Sequence, residues 1–194
     1  MANKWHIRDV KIPPIYKSKT LEDYRTPKLS KFFKGNFIDY DLKDLLDDFK
    51  KGKSLVFTGL TGTGKTHLAV ALIKMCHTSG LLDKAPLFLA AEDFFLEIKA
   101  GYESSVTEKE ILDRLTWNPL LLFDDMGVST ANDWSRVRLY GLFDRRYRYM
   151  KQTIVTANIS LDAIARNYDD RIASRFCEMG VIVKFEGEDM RLSL

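Results

Sequence analysis

Five short apolar runs dominate the pattern of this chain: SLVFTG at 54–59, PLFLAA at 86–91, PLLLFDD at 119–125, QTIVTAN at 152–158 and VIVKFEG at 181–187. Runs that stay apolar rather than alternating are what strands look like when helices cover both faces of a parallel sheet. The stretches between them carry helical periodicity: 65–79, 92–117 in two pieces broken near Gly101, 132–150, and 161–178 with a break near Tyr168. Strand alternating with helix predicts an α/β fold, a three-layer sandwich with right-handed crossovers. Upstream, Phe33, Phe37, Ile38, Leu42, Leu45, Leu46 and Phe49 are spaced as on a helix over 28–51, which Gly35 divides into two. Residues 1–30, with Pro13, Pro14 and Pro27, read as an extended arm. The expected organisation is an N-terminal arm with helices over 1–50, packed on a core over 51–194.

Composition narrows the class. Of 194 residues, 45% are hydrophobic and 29% charged, which excludes a disordered or low-complexity chain. No apolar run approaches the roughly 18–20 residues of a membrane span, and the start MANKWHIRDVK has no apolar leader. A soluble cytoplasmic protein with no membrane partner is expected. Cys76 and Cys177 lack partners at metal spacing, so neither a zinc site nor a disulfide framework is supported. The net charge of +3 permits a nucleic-acid partner without demanding one.

The turn after the first run, Gly59-Leu60-Thr61-Gly62-Thr63-Gly64-Lys65-Thr66, satisfies G-x-x-x-x-G-K-[ST] at each fixed position. Its glycines let backbone N–H groups close around a phosphate, while the helix opening at Lys65 turns its positive dipole end to the same anion. The loop predicts bound ATP or ADP, with Gly59, Thr61, Gly62, Thr63, Gly64, Lys65, Thr66 and the following His67 as contacts. Lys65 would reach the β- and γ-phosphates, and Thr66 would offer its hydroxyl to Mg²⁺. At the end of the third run, Asp124 and Asp125 point to opposite sides of a strand and so cannot share one task. Asp124 is the expected Mg²⁺ partner of Thr66, and Asp125 the residue that polarises an attacking water. A helix cap or loop is the alternative reading of such a pair.

Asn158 ends the fourth run, either as a sensor of the γ-phosphate or as an ordinary turn residue. Arg171 and Arg175 lie four apart on one helical face, suited either to transferring phosphate charge or to ion pairs with Asp170 or Glu178. The segment 134–151 carries a charge of +5, which fits nucleic acid, a subunit contact or a solvated face, with Arg145 and Arg146 as candidates.

Several segments together resemble the AAA+ ATPases, and more narrowly the DnaC/DnaI/IstB group of bacterial helicase loaders and transposition helpers: IPPIYKSKTLEDY at 12–24, GLTGTGKTHLAVAL at 59–72, LLLFDDMGV at 120–128, LYGLFDRRY at 139–147, IVTANIS at 154–160 and DDRIASRF at 169–176. The resemblance implies a P-loop NTPase with a five-stranded parallel sheet of order 5-1-4-3-2 and nucleotide bound between subunits of a homo-oligomer. It implies Asn158 as the first sensor, Arg175 as an arginine finger acting in a neighbour's site and Arg171 as its support. Gly187 to Arg191 is similar to a G-x-x-x-R segment of the group, which makes Arg191 a second sensor, and the arm from Ile12 to Tyr16 is expected near the adenine. The group inserts an extra helix between its second and third strands. By that resemblance Lys99, Tyr102, Ser104 and Ser105 are candidates to touch single-stranded DNA, although Phe94, Phe95, Leu96 and Ile98 nearby also read as plain core and surface.

Two departures stand beside the resemblance. Loaders of this group carry an N-terminal domain that grips the helicase, whereas here the first run already begins at Ser54; and no stretch after the fifth run has room for the helical lid of many AAA+ proteins, as in lidless members of the group. The function implied is an ATP-hydrolysing helicase loader assembling on single-stranded DNA with a replicative helicase as partner. The alternative is an ATPase helper of transposition acting on duplex DNA. A small-molecule kinase is disfavoured for want of a lid of arginines, and intact Lys65, Thr66, Asp124 and Asp125 oppose a module that binds nucleotide without hydrolysis. Asp125 stands where many relatives have Glu, so slow, assembly-dependent turnover is expected.

Overall fold

The computed structural model describes residues 5–103, 105–127 and 132–192. Seven strands form one sheet: β1 (Lys28–Phe33), β2 (Asn36–Asp39), β3 (Ser54–Gly59), β4 (Leu87–Ala90), β5 (Leu120–Met126), β6 (Gln152–Ala157) and β7 (Gly180–Glu186), in the order β2-β1-β7-β3-β6-β5-β4. The five expected runs are β3 to β7. They stand in the expected order 5-1-4-3-2, parallel throughout.

Their continuous apolar character has the expected cause. Leu55 and Phe57 belong to one core while Val56 between them belongs to the other; Leu120 and Leu122 alternate with Leu121 and Phe123 in the same way, as do Ile154 and Val155. The first core lies under α1 (Leu42–Lys50) and α2 (Lys65–Ser79), and the second under α3 (Ala91–Gly101), α4 (Glu108–Trp117), α5 (Asp133–Arg148), α6 (Leu161–Asn167) and α7 (Asp170–Met179). Gly101 ends α3, and Thr107 with Glu110 forms a capping box that starts α4. Tyr168 closes α6, and Asp169 caps α7 through the Arg171 N–H.

The expectation of helices from residue 28 holds only from Leu42. Residues 28–39 form an antiparallel hairpin whose first strand pairs with β7, Ser30 opposite Lys184. Its two-residue turn is Lys34-Gly35, with φ of 49° and 88°. Positive φ at both positions is the turn that matches the twist of paired strands. The sheet therefore has seven strands rather than five, and β2 has all four side chains exposed. The arm is extended but includes short 3₁₀ turns at Ile7–Asp9 and Pro14–Tyr16, and it buries Trp5, Val10, Ile12 and Tyr24 in the first core. Among the described residues no helix is long and apolar enough to cross a membrane.

Candidate functional site

The phosphate loop joins the buried centre of the sheet, β3, to α2, whose residues Leu68 to Ile73 are all at most 1% exposed. A helix apolar on every side is fixed within the core, so the loop at its start is held as rigidly as the sheet. Gly64 precedes α2 with φ of 89° and lies against the Tyr24 ring. The Lys65 ammonium turns back inside the loop, donating to the carbonyls of Gly59 at 2.8 Å and Leu60 at 2.6 Å and to Thr63 Oγ1 at 3.4 Å. Burial pulls this ammonium down to about 8, against the opposing charges of Asp125 and Asp124. Thr63 is buried and donates to the Leu60 carbonyl, while Thr61 is exposed at the tip.

Asp124 ends the buried part of β5 with 6% exposure. Its Oδ1 accepts from the Thr66 hydroxyl at 2.9 Å and the Thr156 hydroxyl at 2.7 Å. Burial nonetheless raises its carboxyl above the ordinary range, outweighing both hydrogen bonds. Thr66 and Asp124 are hard oxygen donors side by side, and a cation would offset the cost of burying that carboxylate, so the pair fits Mg²⁺. Among the described residues no three His, Cys, Asp or Glu side chains gather, so phosphate oxygens and water would complete the shell, as Mg²⁺ prefers.

The ladder between β5 and β6 slips between Phe123 and Met126, and Asp125 inside the slip has φ of 57°. A bulge of this kind re-aims a side chain at a strand end. Asp125 becomes exposed, its backbone N–H donating to Thr156 Oγ1 at 2.9 Å and its Oδ1 accepting from Asn158 Nδ2 at 3.5 Å. Asn158 Oδ1 is buried without a hydrogen-bond partner among the described residues. Lys65, Thr66, Asp124, Asp125 and Asn158 are thus brought together at one end of the sheet. No sequence expectation falls on Thr156, whose hydroxyl donates to the Asp124 carboxylate and accepts the Asp125 backbone N–H; its signal in the sequence is a polar residue closing an apolar strand.

The arm reaches the same place. His67 Nε2 and the Thr20 carbonyl are 2.8 Å apart, Lys74 donates to the Lys17 carbonyl at 2.6 Å, and Tyr24 meets the His67 ring edge-on. Burial lowers the His67 imidazole and raises the Tyr16 phenol; the Asp124 charge adds to the rise at Tyr16, and a hydrogen bond with Thr66 opposes it. At the other end of the chain, Arg191 donates to Asp189 at 2.9 and 2.7 Å, and that guanidinium holds the Asp189 carboxyl down at about 2. Met190 N–H donates to the Gly62 carbonyl at 3.2 Å.

Arg171 and Arg175 lie elsewhere, on α7. Arg171 pairs with Asp169 at 2.7 Å rather than with Asp170, and Arg175 with Asp144 at 3.2 Å and Glu178 at 3.5 Å. Lys99 lies over the Trp134 ring, and the Tyr102 hydroxyl is bonded to Trp134 Nε1, Arg138 and Glu108. Ser104 lies outside the described residues, and Ser105 is exposed. Arg145 pairs with Asp113 at 2.9 Å. Arg146 corrects the expectation of a DNA or interface residue. It is 0% exposed and donates to the carbonyls of Leu115, Thr116, Asn118 and Gln152 and to Thr153 Oγ1, so it ties α4 to β6 inside the protein.

The chain is similar to several known proteins. The replicative helicase loader DnaC of Escherichia coli (strain K12) is 29% identical over 123 residues, which are 63% of this chain and 49% of that protein. The chain spans about half the length of the curated relatives it matches. The crystal structure of the DnaC helicase loader superposes with a TM-score of 0.68 at 22% identity, covering 90% of this chain and 100% of the other. The replication initiator DnaA bound to AMPPCP and single-stranded DNA superposes with a TM-score of 0.67 at 22% identity, covering 89% of this chain and 51% of the other. Both share the fold of this chain, helices on the two faces of a mostly parallel sheet. The sequence profile described as IstB-like ATP binding protein matches residues 10–193, and the chain belongs to that family.

Proposed function

We propose that the chain is an ATP-switched helicase loader that assembles on single-stranded DNA, its ATPase core spanning 51–194 together with the β1–β2 hairpin and α1 that join the same sheet and core, and its arm the residues before Lys28. The observation that carries this reading is the joining of Thr66, Asp124 and Thr156 through one carboxylate oxygen, which ties the phosphate loop to the strands bearing Asp125 and Asn158. In the proposed mechanism Lys65 leaves the loop carbonyls for the β- and γ-phosphates; Thr66 and Asp124 would hold Mg²⁺, which would supply screening of the phosphate charge. Asp125 takes the proton of the water whose oxygen attacks the γ-phosphorus as the bond to ADP breaks, and Asn158 reports whether that phosphate is present. Arg191 faces the nucleotide of its own chain, with His67 behind the loop. Arg175, supported by Arg171, enters the site of the next subunit. Lys99, Tyr102 and Trp134 supply the phosphate and stacking contacts to DNA, and Arg145 supplements them.

The likeness to DnaC supports a replicative helicase as the partner. The family match also supports a second reading, an ATPase helper of transposition acting on duplex DNA. ATP turnover at several protein concentrations, with single-stranded or duplex DNA and with Lys65→Ala as blank, separates them. Stimulation by single strands that rises with concentration fits the loader, and preference for duplex fits the helper. Parental turnover by Lys65→Ala would discard the assignment of the loop.

A further inference from the structure

One face of α5 meets one face of α7, and the contact is built around two arginines. Tyr140, Asp144 and Tyr147 fall at positions i, i+4 and i+7 of α5, and Arg171 and Arg175 at i and i+4 of α7. The Arg171 guanidinium lies 4.1 Å from the centre of the Tyr140 ring and is clamped by Asp169. The Arg175 guanidinium lies 4.5 Å from the centre of the Tyr147 ring, and its Nε donates to Asp144 Oδ1 at 3.2 Å. Asp144 is itself buried, with its second oxygen held by Arg148 Nε at 2.8 Å. Each arginine therefore has a ring against its flat face and a carboxylate on its Nε, and Arg175 has a second, Glu178, at 3.5 Å from Nη1.

This arrangement costs the chain something that packing alone does not require. A carboxylate at a helix interface is desolvated, and it persists where it is paired. An arginine left in water spreads over many rotamers, whereas a guanidinium stacked on a ring and held at Nε has its direction set before any partner arrives. We infer that Asp144 and Tyr147 are positioning residues for Arg175, holding it at the angle from which it enters the neighbouring subunit's nucleotide site, with Tyr140 and Asp169 holding Arg171 as its support. The inference rests on the reading of Arg175 as a residue acting between subunits. It accounts for why the LYGLFDRRY and DDRIASRF segments occur in one chain: each supplies half of one device.

The test is turnover by mixed assemblies. Asp144→Asn keeps the shape but loses the charge, and it should lower the assembly-dependent kcat by about tenfold while leaving the KM for ATP in place. Adding Lys65→Ala chains, which have an intact α5–α7 face but no working loop, should then restore turnover at the sites of the Asp144→Asn chains, because the arginine is supplied from outside. Arg175→Ala in the same mixture is the reference. If Arg175→Ala alone turns over at the parental rate, the intersubunit reading of Arg175 is wrong. If Arg175→Ala loses turnover and regains it on mixing while Asp144→Asn keeps the parental rate, or loses it without recovery, the positioning role is wrong and the intersubunit reading stands. Tyr147→Phe and Tyr147→Leu give a second pair independent of the buried carboxylate. The ring-preserving variant should retain turnover and the other lose it, both with parental thermal unfolding; equal turnover in the two would overturn the role of the ring.

Discussion

The Asp189 carboxylate occupies the space in front of Gly62: a Cβ built on that glycine would stand 1.8 Å from Asp189 Oδ1. The Gly62 carbonyl also accepts the Met190 N–H, so the turn at 189–190 is joined to the phosphate loop through the backbone, with the Asp189 carboxylate packed against Gly62. Gly62 has φ of 77°, in the left-handed region, which adds conformational strain to the clash for any other residue.

Gly62→Ala is therefore expected to destabilise the protein by about 1–3 kcal/mol from the backbone alone. It should also push Asp189 and Arg191 off the loop and weaken binding of a non-hydrolysable ATP analogue. Thermal unfolding and analogue titration check this. Adding Asp189→Gly to Gly62→Ala should recover part of the stability, since it removes the clash but not the strain. A double variant no more stable than Gly62→Ala would show that the carboxylate is not the obstacle.

Lys65 makes nucleotide binding depend on pH in a defined direction. Burial brings its ammonium from the ordinary lysine value to about 8 in the free protein, and the phosphates of a bound nucleotide favour the charged form. Binding above pH 8 must then take up a proton, and affinity should fall by up to about tenfold per unit as pH rises through that value. The contribution to stability has the opposite slope. Between pH 8 and the unfolded value the folded chain holds fewer protons than the unfolded one, so this group's destabilising effect, complete below pH 8, fades as pH rises. Calorimetric titration at pH 8.5 in two buffers of different ionisation enthalpy measures the proton directly. Zero uptake would contradict the assignment.

Arg146 behaves as a core residue. Arg146→Leu leaves buried carbonyls without donors and is expected to cost about 3–5 kcal/mol, which denaturant unfolding would read. Arg146→Lys should also be destabilising, because one ammonium cannot replace a planar fork that serves both the end of α4 and the start of β6. Neither change should alter the salt dependence of DNA binding by the fraction that remains folded.

The parts legible in the sequence share one physical origin. Strands covered on both faces leave continuous apolar runs, and a phosphate loop needs glycine at fixed spacing, so β3 to β7 and the turn between β3 and α2 can be read without structure. The hairpin could not be read that way. Phe33, Phe37 and Ile38 repeat at a spacing that imitates a helix, and β1 is a strand because it meets the free edge of β7 about 150 positions later, a pairing no local pattern records. The bulge at Asp125 is hidden for the same reason, since a slip in register exists only between two strands. Arg146 did leave a signal. Leu139, Leu142 and Phe143 form the buried stripe of α5, and Arg146 continues it at the next helical position. The other basic residues of the +5 segment lie off that stripe, so charge alone does not distinguish Arg146 from them.

DNA binding should depend on Tyr102 and Trp134 more than on the number of charges nearby. Trp134 lies between Phe95 on one side and Arg138, 4.3 Å from its ring centre, on another, while Tyr102 is 59% exposed with its hydroxyl bonded to Trp134 Nε1. A base stacked on such a ring contributes about 1–3 kcal/mol, so Tyr102→Ala is expected to weaken binding of a labelled single-stranded oligonucleotide by about tenfold or more in fluorescence anisotropy. Tyr102→Phe keeps the ring and loses the bonds to Arg138 and Glu108, and should retain most of the affinity if stacking is what matters. If Lys99 makes the phosphate contact proposed for it, Lys99→Ala should lower the slope of log affinity against log salt by about 1 while leaving base preference unchanged. Arg138 is engaged by Glu108 at 2.9 Å, so Arg138→Ala should act mainly through the loosened Trp134 ring rather than through the salt slope. Parental affinity in both Tyr102→Ala and Trp134→Ala would move the DNA contact away from this cluster.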